Sequence, residues 1–358
     1  IQYTSGTTGF PKGCMLTHRY WLTIAKVAAS RGFLGPETKN ILIESPFFYM
    51  DPQWMTLLAM QIGAQLFVSR RGSLTKFMGW LRDYEIHYTL WPGRLPAEKE
   101  PDFNPSNHLR MLSTFGEFIG KPERHAELER KFQTLARESF GMTEIGSGMY
   151  MPLEAVEKAG TGSCGIPSPF REAKIIDETG NELGDDEIGE LCVRGPGIML
   201  GYYKKPEANA KSLVDGWFRT GDLFRRDKDG FYYIVGRIKD MIRRNGENIA
   251  AREVESVVDE LPEVLESAAI GVKVPQRGEE VLIAVVTRDG LTKEDLKPEA
   301  IIEHCERHLA SFKVPRYIRY CSVPLPRTAS GKIAKHLFIK DTPDLTAGTF
   351  DRIENRWV

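Results

Sequence analysis

Residues 1–13 read IQYTSGTTGFPKG, and their reading decides the fold. Ile1-Gln2-Tyr3 has the β-rich character of a strand already under way, which suggests a chain that starts inside a longer domain. The run then turns glycine-rich. Thr4, Thr7 and Thr8 add hydroxyl donors to Ser5, Gly6, Gly9 and Gly13 free the backbone to turn its N–H groups inward, and Lys12 adds a charge. Such a loop can wrap phosphate oxygens, because successive backbone N–H groups and one cation form an anion-binding concavity. It is not a Walker A loop: Lys12 is preceded by Pro11 and followed by Gly13, where that motif needs glycine before the lysine and a hydroxyl residue after it. Kinase and GTPase chemistry is therefore set aside.

Outward from the loop, Thr17 is placed to cap a helix in which Trp21, Ile24, Ala25 and Ala28 repeat at one-face spacing. The order strand, loop, helix is followed by short β-rich runs at 40–45 and 64–69 with a helical stretch at 53–61 between them, which predicts layered α/β structure. From Arg171 the texture changes to short strands and turns, AKIID, ELCVR and FYYIV, the last entered through Asp229-Gly230. After the charged stretch 236–240, Val254, Val257, Val258 and Leu261 form another helical stripe stopped by Pro262, and strands at 268–272 and 281–287 precede a helix at about 299–310. The expectation is an α/β chain: part of a large domain over 1–236 with a β-rich subdomain from about 165 to 236, a hinge, a small mobile α+β domain over 237–340, and an extended tail over 341–358.

Composition narrows the partners. Lys+Arg at 48 against Asp+Glu at 49 leaves a formal charge of -1, so no global field draws the chain to nucleic acid or an anionic membrane, and affinity for phosphate must be local. The five cysteines, Cys14, Cys164, Cys192, Cys305 and Cys321, have no CxxC spacing, which argues against a disulfide framework or zinc ribbon and fits a reducing cytoplasm. No run approaches the roughly 20 apolar residues of a membrane span.

The loop TSGTTGFPKG resembles the phosphate-binding loop of the adenylate-forming superfamily, which holds acyl-CoA synthetases, luciferases and peptide-synthetase adenylation domains. Four further motifs follow in that family's order. Ser139-Phe140-Gly141-Met142-Thr143-Glu144 is similar to its aromatic-Gly-x-Thr-Glu signature. There the resemblance implies that Phe140 stacks on adenine, Thr143 meets the α-phosphate and Glu144 helps hold Mg2+, with the Thr4 hydroxyl also assigned to the metal. The residue types suit those tasks, since a hard cation wants carboxylate oxygen and a purine offers a π face. Phe115-Gly116-Glu117 matches weakly where the family places backbone near adenine.

Asp222, in GWFRTGD, resembles the aspartate that accepts both ribose hydroxyls, as a two-oxygen carboxylate can. GRIKD resembles the hinge motif, with Arg237 reaching ribose or phosphate and Lys239 as the pivot. The following loop, with Arg243 and Gly246, matches the one lining the channel for coenzyme A, whereas Arg244 and Glu247 read as solvated charges. PRTASGK resembles the loop carrying the adenylating lysine, here Lys332, whose mobile point charge would offset the charge that gathers when an acid attacks the α-phosphorus.

What the resemblance implies is an ATP-dependent carboxylic acid:CoA ligase, with ATP, Mg2+ and coenzyme A as reactants or cofactor and a small carboxylic acid as substrate. The sequences FFYMDPQW and RRNGENIAAREVE look most like carnitine/crotonobetaine-CoA ligases, with Tyr49 in the acyl gate where many relatives have histidine. An adenylation domain loading a carrier protein and a non-catalytic nucleotide-binding relative stay open as alternatives. A homodimer, and a separately supplied N-terminal region, stay open as partners. Gly165-Ile166-Pro167 and the stretch from Gly201-Tyr202-Tyr203 to Glu207 also resemble family motifs and read as structural; His304 and His308, one turn apart, read as an ordinary helix face.

Overall fold

A computed structural model describes residues 1–4, 11–30, 34–92, 108–115, 122–274, 278–327 and 333–358. These form two compact units, the first of Ile1–Thr4, Lys12–Thr220 and Phe224–Ile234, the second of Val235–Val358 together with Gly221–Leu223.

The first unit begins as local chemistry dictates. The Thr17 hydroxyl accepts the Tyr20 N–H at 3.1 Å and starts the helix His18–Ser30, whose Ile24 and Ala28 enter the core. Beside it lies a run of parallel strands, Gln65–Val68, Asn40–Ile43, Tyr88–Leu90, Met111–Thr114 and Leu135–Met142 in spatial order. Side chains alternate across these strands, so Ile41 and Ile43 face Trp54, Met55 and Leu58 of the helix Met50–Ile62, while Leu42 faces Phe77 and Leu81 of Leu74–Asp83. Both faces are covered by helices, as a parallel sheet requires. The layered α/β expectation holds.

The antiparallel part does not form a separate sheet. Strand Leu135–Met142 turns back through Gly146–Tyr150, which pairs with Ser163–Pro167, and the same sheet continues through Tyr232–Arg237, Trp217–Arg226, Gly189–Arg194 and Glu172–Ile176. The change from parallel to antiparallel pairing thus falls at Leu135–Met142, ahead of the change of texture at Arg171. Gly165 is required where the strands come together: its φ is +92°, and a Cβ there would stand 1.8 Å from the Tyr150 carbonyl oxygen.

In the second unit, the long strands Val264–Val274 and Gly278–Thr287 pair antiparallel, and Tyr317–Tyr320 joins parallel to Gly278–Thr287 after the helix Pro298–His308. Val281, Ile283 and Val285 point into a core with Val254, Val258, Ile301 and Cys305; Leu282, Ala284 and Val286 point to the opposite face, against Ala268, Ile270 and Leu325. Met241–Arg244 and Glu247–Ala250 form a hairpin through Asn245-Gly246, with φ +51° and +84°. Positive φ at both central residues is the two-residue turn that Asn-Gly favours.

The expected tail is folded. Phe350–Asp351 pairs with Tyr317–Tyr320 and with Arg356–Trp357, Phe350 is 5% exposed in the core, and Asp351 bonds Arg316 at 2.8 Å. Two-residue strands carry too little periodicity to show in a sequence, so long-range pairing decides them. No helix among the described residues is long and apolar enough to cross a membrane.

Candidate active site

Strand Gln2–Thr4 pairs antiparallel with Lys12–Cys14, so the described ends of the candidate phosphate loop are held in register, Thr4 opposite Lys12. Ser5, Gly6, Thr7, Thr8 and Gly9 lie outside the described residues. The Thr4 hydroxyl approaches the Lys12 carbonyl at 3.4 Å, a long contact that leaves it weakly held. Lys12 extends its ammonium 4.0 Å from the centre of the Tyr202 ring, within cation–π reach.

Glu144 sits in the turn between Leu135–Met142 and Gly146–Tyr150 and is only 6% exposed. The Tyr202 hydroxyl donates to its Oε1 at 2.8 Å. A carboxylate offers the hard oxygen ligand that a magnesium site needs. Its field also reaches the thiol of Cys14, pushed far above the usual range by burial first and then by Glu144. The structure thus brings Lys12 and Glu144 to one tyrosine.

The rest of the aromatic-Gly-x-Thr-Glu stretch is backbone-ordered around them. Ser139 is buried opposite Tyr150, Phe140 packs edge-on to Phe224 at 4.9 Å, and a register shift falls between Phe140 and Gly141. Met142 lies opposite Gly146, and Thr143 is half-buried in the turn that the Ile145 N–H closes on the Met142 carbonyl at 3.1 Å. Phe115 is 45% exposed just past strand Met111–Thr114; Gly116 and Glu117 lie outside the described residues.

Tyr49 stands at the N-terminus of Met50–Ile62 with its ring 4.4 Å from that of Phe48. Gln2 and Gln53 pin this segment: Gln2 donates to the Phe48 carbonyl, and the Gln53 amide reaches the Gln2 side-chain oxygen at 2.8 Å and the Tyr49 carbonyl at 3.0 Å. The strand leading into the candidate loop therefore also positions the candidate acyl gate.

In the second unit, Arg237 Nε meets Asp222 Oδ1 at 2.8 Å, Asp222 being 1% exposed. The two predicted ribose-side groups are thus brought together. Lys239, in the single turn Ile238–Asp240, has its pKa lowered, by burial first and in part by Arg237, with Asp240 opposing. Arg243 and Gly246 lie on the Asn-Gly hairpin, Arg243 with its backbone N–H donating to Glu279 at 2.8 Å. Glu247 is exposed, as expected.

Arg244 is not a solvated charge. Its Nε meets Glu280 at 2.7 Å and another guanidinium N–H reaches the Phe312 carbonyl at 3.1 Å, with side-chain exposures of 11% and 1% for Arg244 and Glu280. Its partner lies 36 residues away, beyond what a local charge run can reveal. Lys332 lies outside the described residues; to either side Arg327 and Ile333 form a β-bridge, and Lys335 meets Glu255 at 2.5 Å. His304 meets Glu260 at 3.2 Å, His308 Nδ1 lies 2.8 Å from the His304 carbonyl, and the ligand atoms of Glu260, His304 and His308 lie within 4.8 Å of one another.

The layered α/β unit that carries Lys12 and the buried Glu144 on one tyrosine has an adenylate-forming architecture. The chain belongs to the AMP-binding enzyme family, whose model matches residues 1–203; that of the AMP-binding enzyme C-terminal domain matches residues 253–332. It is 34% identical to a sulfoacetate–CoA ligase of Cupriavidus necator over 94% of this chain and 65% of that protein. It is also 34% identical to a crotonobetaine/carnitine–CoA ligase of Salmonella arizonae, with the same 94% and 65% coverage. Among solved structures, ATP-bound MatB from Rhodopseudomonas palustris superimposes with a TM-score of 0.84 at 26% identity, over 96% of this chain and 68% of that one. The chain thus spans 60 to 65% of the length of most of the curated relatives it matches.

Proposed function

We propose that this chain is the nucleotide-handling part of an ATP-dependent carboxylic acid:CoA ligase. The observation that carries this reading is the buried Glu144, placed with Lys12 around Tyr202 at the exit of the phosphate-binding loop. Family membership and two relatives named as CoA ligases support it.

In the first half-reaction a carboxylate oxygen of the acid attacks the α-phosphorus of ATP; the bond to pyrophosphate breaks, and acyl-AMP remains. Lys12 and the loop hydroxyls hold the phosphates, Thr143 meets the α-phosphate, and Asp222 with Arg237 holds the ribose. Glu144 and Thr4 would hold Mg2+. That ion, when bound, neutralises charge gathering on the departing phosphates. The donor set fits a hard cation, being carboxylate and hydroxyl oxygen with no soft ligand. Lys332 supplies a further cation during this step only. The 237–340 domain then turns about Lys239, withdrawing Lys332 and presenting Arg243 and Gly246 to the thiol. The thiolate of coenzyme A attacks the acyl carbon, AMP leaves, and the thioester forms.

Tyr49 lies in the segment expected to gate the acyl pocket, and the relatives' acids range from sulfoacetate to carnitine, so acid identity is the open variable. The test is pyrophosphate exchange and coenzyme A consumption by the natural-length protein against a panel of small carboxylic acids. Acid-dependent exchange followed by thiol consumption is expected. Exchange without thiol consumption for any acid would refute the coenzyme A assignment, and no exchange at all would refute the ligase reading.

A further inference from the structure

Tyr202 belongs to a stretch that reads as structural, yet its surroundings give it a more specific task. The segment 199–203 runs between the two parts of the site in the first unit. On one side it zips to the strand leaving the phosphate-binding loop: Met15 N–H donates to the Gly201 carbonyl at 2.9 Å, Leu200 N–H to the Met15 carbonyl at 2.9 Å, and Tyr203 N–H to the Gly13 carbonyl at 2.8 Å. On the other side the Met199 N–H donates to the Glu144 carbonyl at 2.8 Å. Asn209 fixes the middle, accepting from the Tyr202 N–H at 2.6 Å and donating to the Tyr202 carbonyl at 3.0 Å. Backbone and side chain are both locked, since Tyr202 is 3% exposed.

From that anchored backbone the side chain does two things. Its hydroxyl donates to Glu144 Oε1 at 2.8 Å, and its ring face lies 4.0 Å from the Lys12 ammonium. The two charges therefore share one rigid aromatic spacer. Without that ring, the Lys12 ammonium would be free to turn toward the carboxylate that the hydroxyl now holds, and a direct ion pair would consume the charge each group needs for phosphate and metal.

We propose that Tyr202 is a positioning residue which keeps Lys12 and Glu144 apart and aimed, its hydroxyl fixing Oε1 so that Oε2 meets the divalent cation of a bound nucleoside triphosphate. The proposal rests on the nucleotide-binding part of the function proposed above and adds a division of labour within one side chain. The hydroxyl serves the metal and the ring serves the lysine.

Two variants separate these tasks. Tyr202→Phe keeps the ring under Lys12 and removes the donor; Tyr202→Leu removes both. ATP binding is measured by isothermal titration with and without Mg2+ on the natural-length protein, alongside thermal unfolding to show that each variant is folded. Wild type should bind ATP more tightly with Mg2+ than without. Tyr202→Phe should lose about tenfold of that metal-dependent gain, the worth of one hydrogen bond to a charged group, while metal-free binding stays within about twofold. Tyr202→Leu should weaken binding in both conditions. Retention of the full metal-dependent gain by a folded Tyr202→Phe would overturn the proposal, as would equal losses with and without Mg2+. Failure of the ligase reading looks different: wild type would bind MgATP through Tyr202 and yet exchange no pyrophosphate with any acid. A wild type that binds no ATP would overturn both.

Discussion

Replacing Glu280 by glutamine should loosen the hairpin expected to face the thiol while leaving the rest of the second unit folded. Glu280 is 1% exposed and meets Arg244 at 2.7 Å, and Arg244 is itself only 11% exposed. Removing one charge of a buried pair costs about 3–5 kcal/mol, because the remaining charge stays desolvated without compensation. Here the lower end applies, since Arg244 keeps its bond to the Phe312 carbonyl at 3.1 Å and retains some exposure to water. About 3 kcal/mol corresponds to roughly a hundredfold increase in local opening. Hydrogen exchange read by mass spectrometry on peptides from 241–250 would show it. The double variant Arg244→Met/Glu280→Met should recover most of the protection, because an apolar pair leaves no stranded charge. Exchange in Glu280→Gln within about fivefold of wild type, or a double variant worse than either single one, would refute this reasoning.

Two further predictions concern the two larger sheets. Asp351 has its pKa lowered: burial pushes it up, but the Arg316 guanidinium and the N–H groups of Ile353 and Glu354 outweigh that. A depressed folded value means its stabilisation is fully present above the unfolded carboxylate value of about 4 and is lost as pH falls through the folded one. Protection of 349–358 against exchange should therefore drop below about pH 4, and Asp351→Asn should remove that pH dependence; an unchanged profile would contradict the assignment. Gly165→Ala should cost on the order of 3 kcal/mol or more, because positive φ is joined to a clash with the Tyr150 carbonyl, whereas Gly216→Ala, with φ +79° and open space around it, should cost about 1–2 kcal/mol. Comparable melting temperatures for the two variants would sink that distinction.

What could be read from the sequence were features whose partners lie close along the chain. Thr17 caps a helix three residues away, and the stripe through Ile24 and Ala28 needs only one turn of geometry. The five motifs likewise carry their chemistry in contiguous residues. The Asn245-Gly246 hairpin has a local signature too, since Asn-Gly favours the positive φ found at both residues. Other features had no local signature. Arg244 is buried by Glu280 and Phe312, 36 and 68 residues away, and Tyr202 gains its meaning from Glu144, 58 residues earlier. The strands at 350–351 and 356–357 are too short to show a period, and only pairing with Tyr317–Tyr320 makes them strands. The antiparallel pairing begins at Leu135–Met142, ahead of the change of texture at Arg171, because long-range pairing rather than local composition sets where it starts.

The central claim is that one site performs two chemistries and that a lysine on the C-terminal domain takes part in only the first. Lys332→Ala tests it most directly, with both half-reactions measured on the same preparation of natural-length protein. The account predicts that acid-dependent pyrophosphate exchange falls by at least about a hundredfold, the worth of a transition-state cation, while thioester formation from supplied acyl-AMP and coenzyme A stays within about threefold of wild type. Equal loss of both half-reactions, or exchange at the wild-type rate, would contradict it.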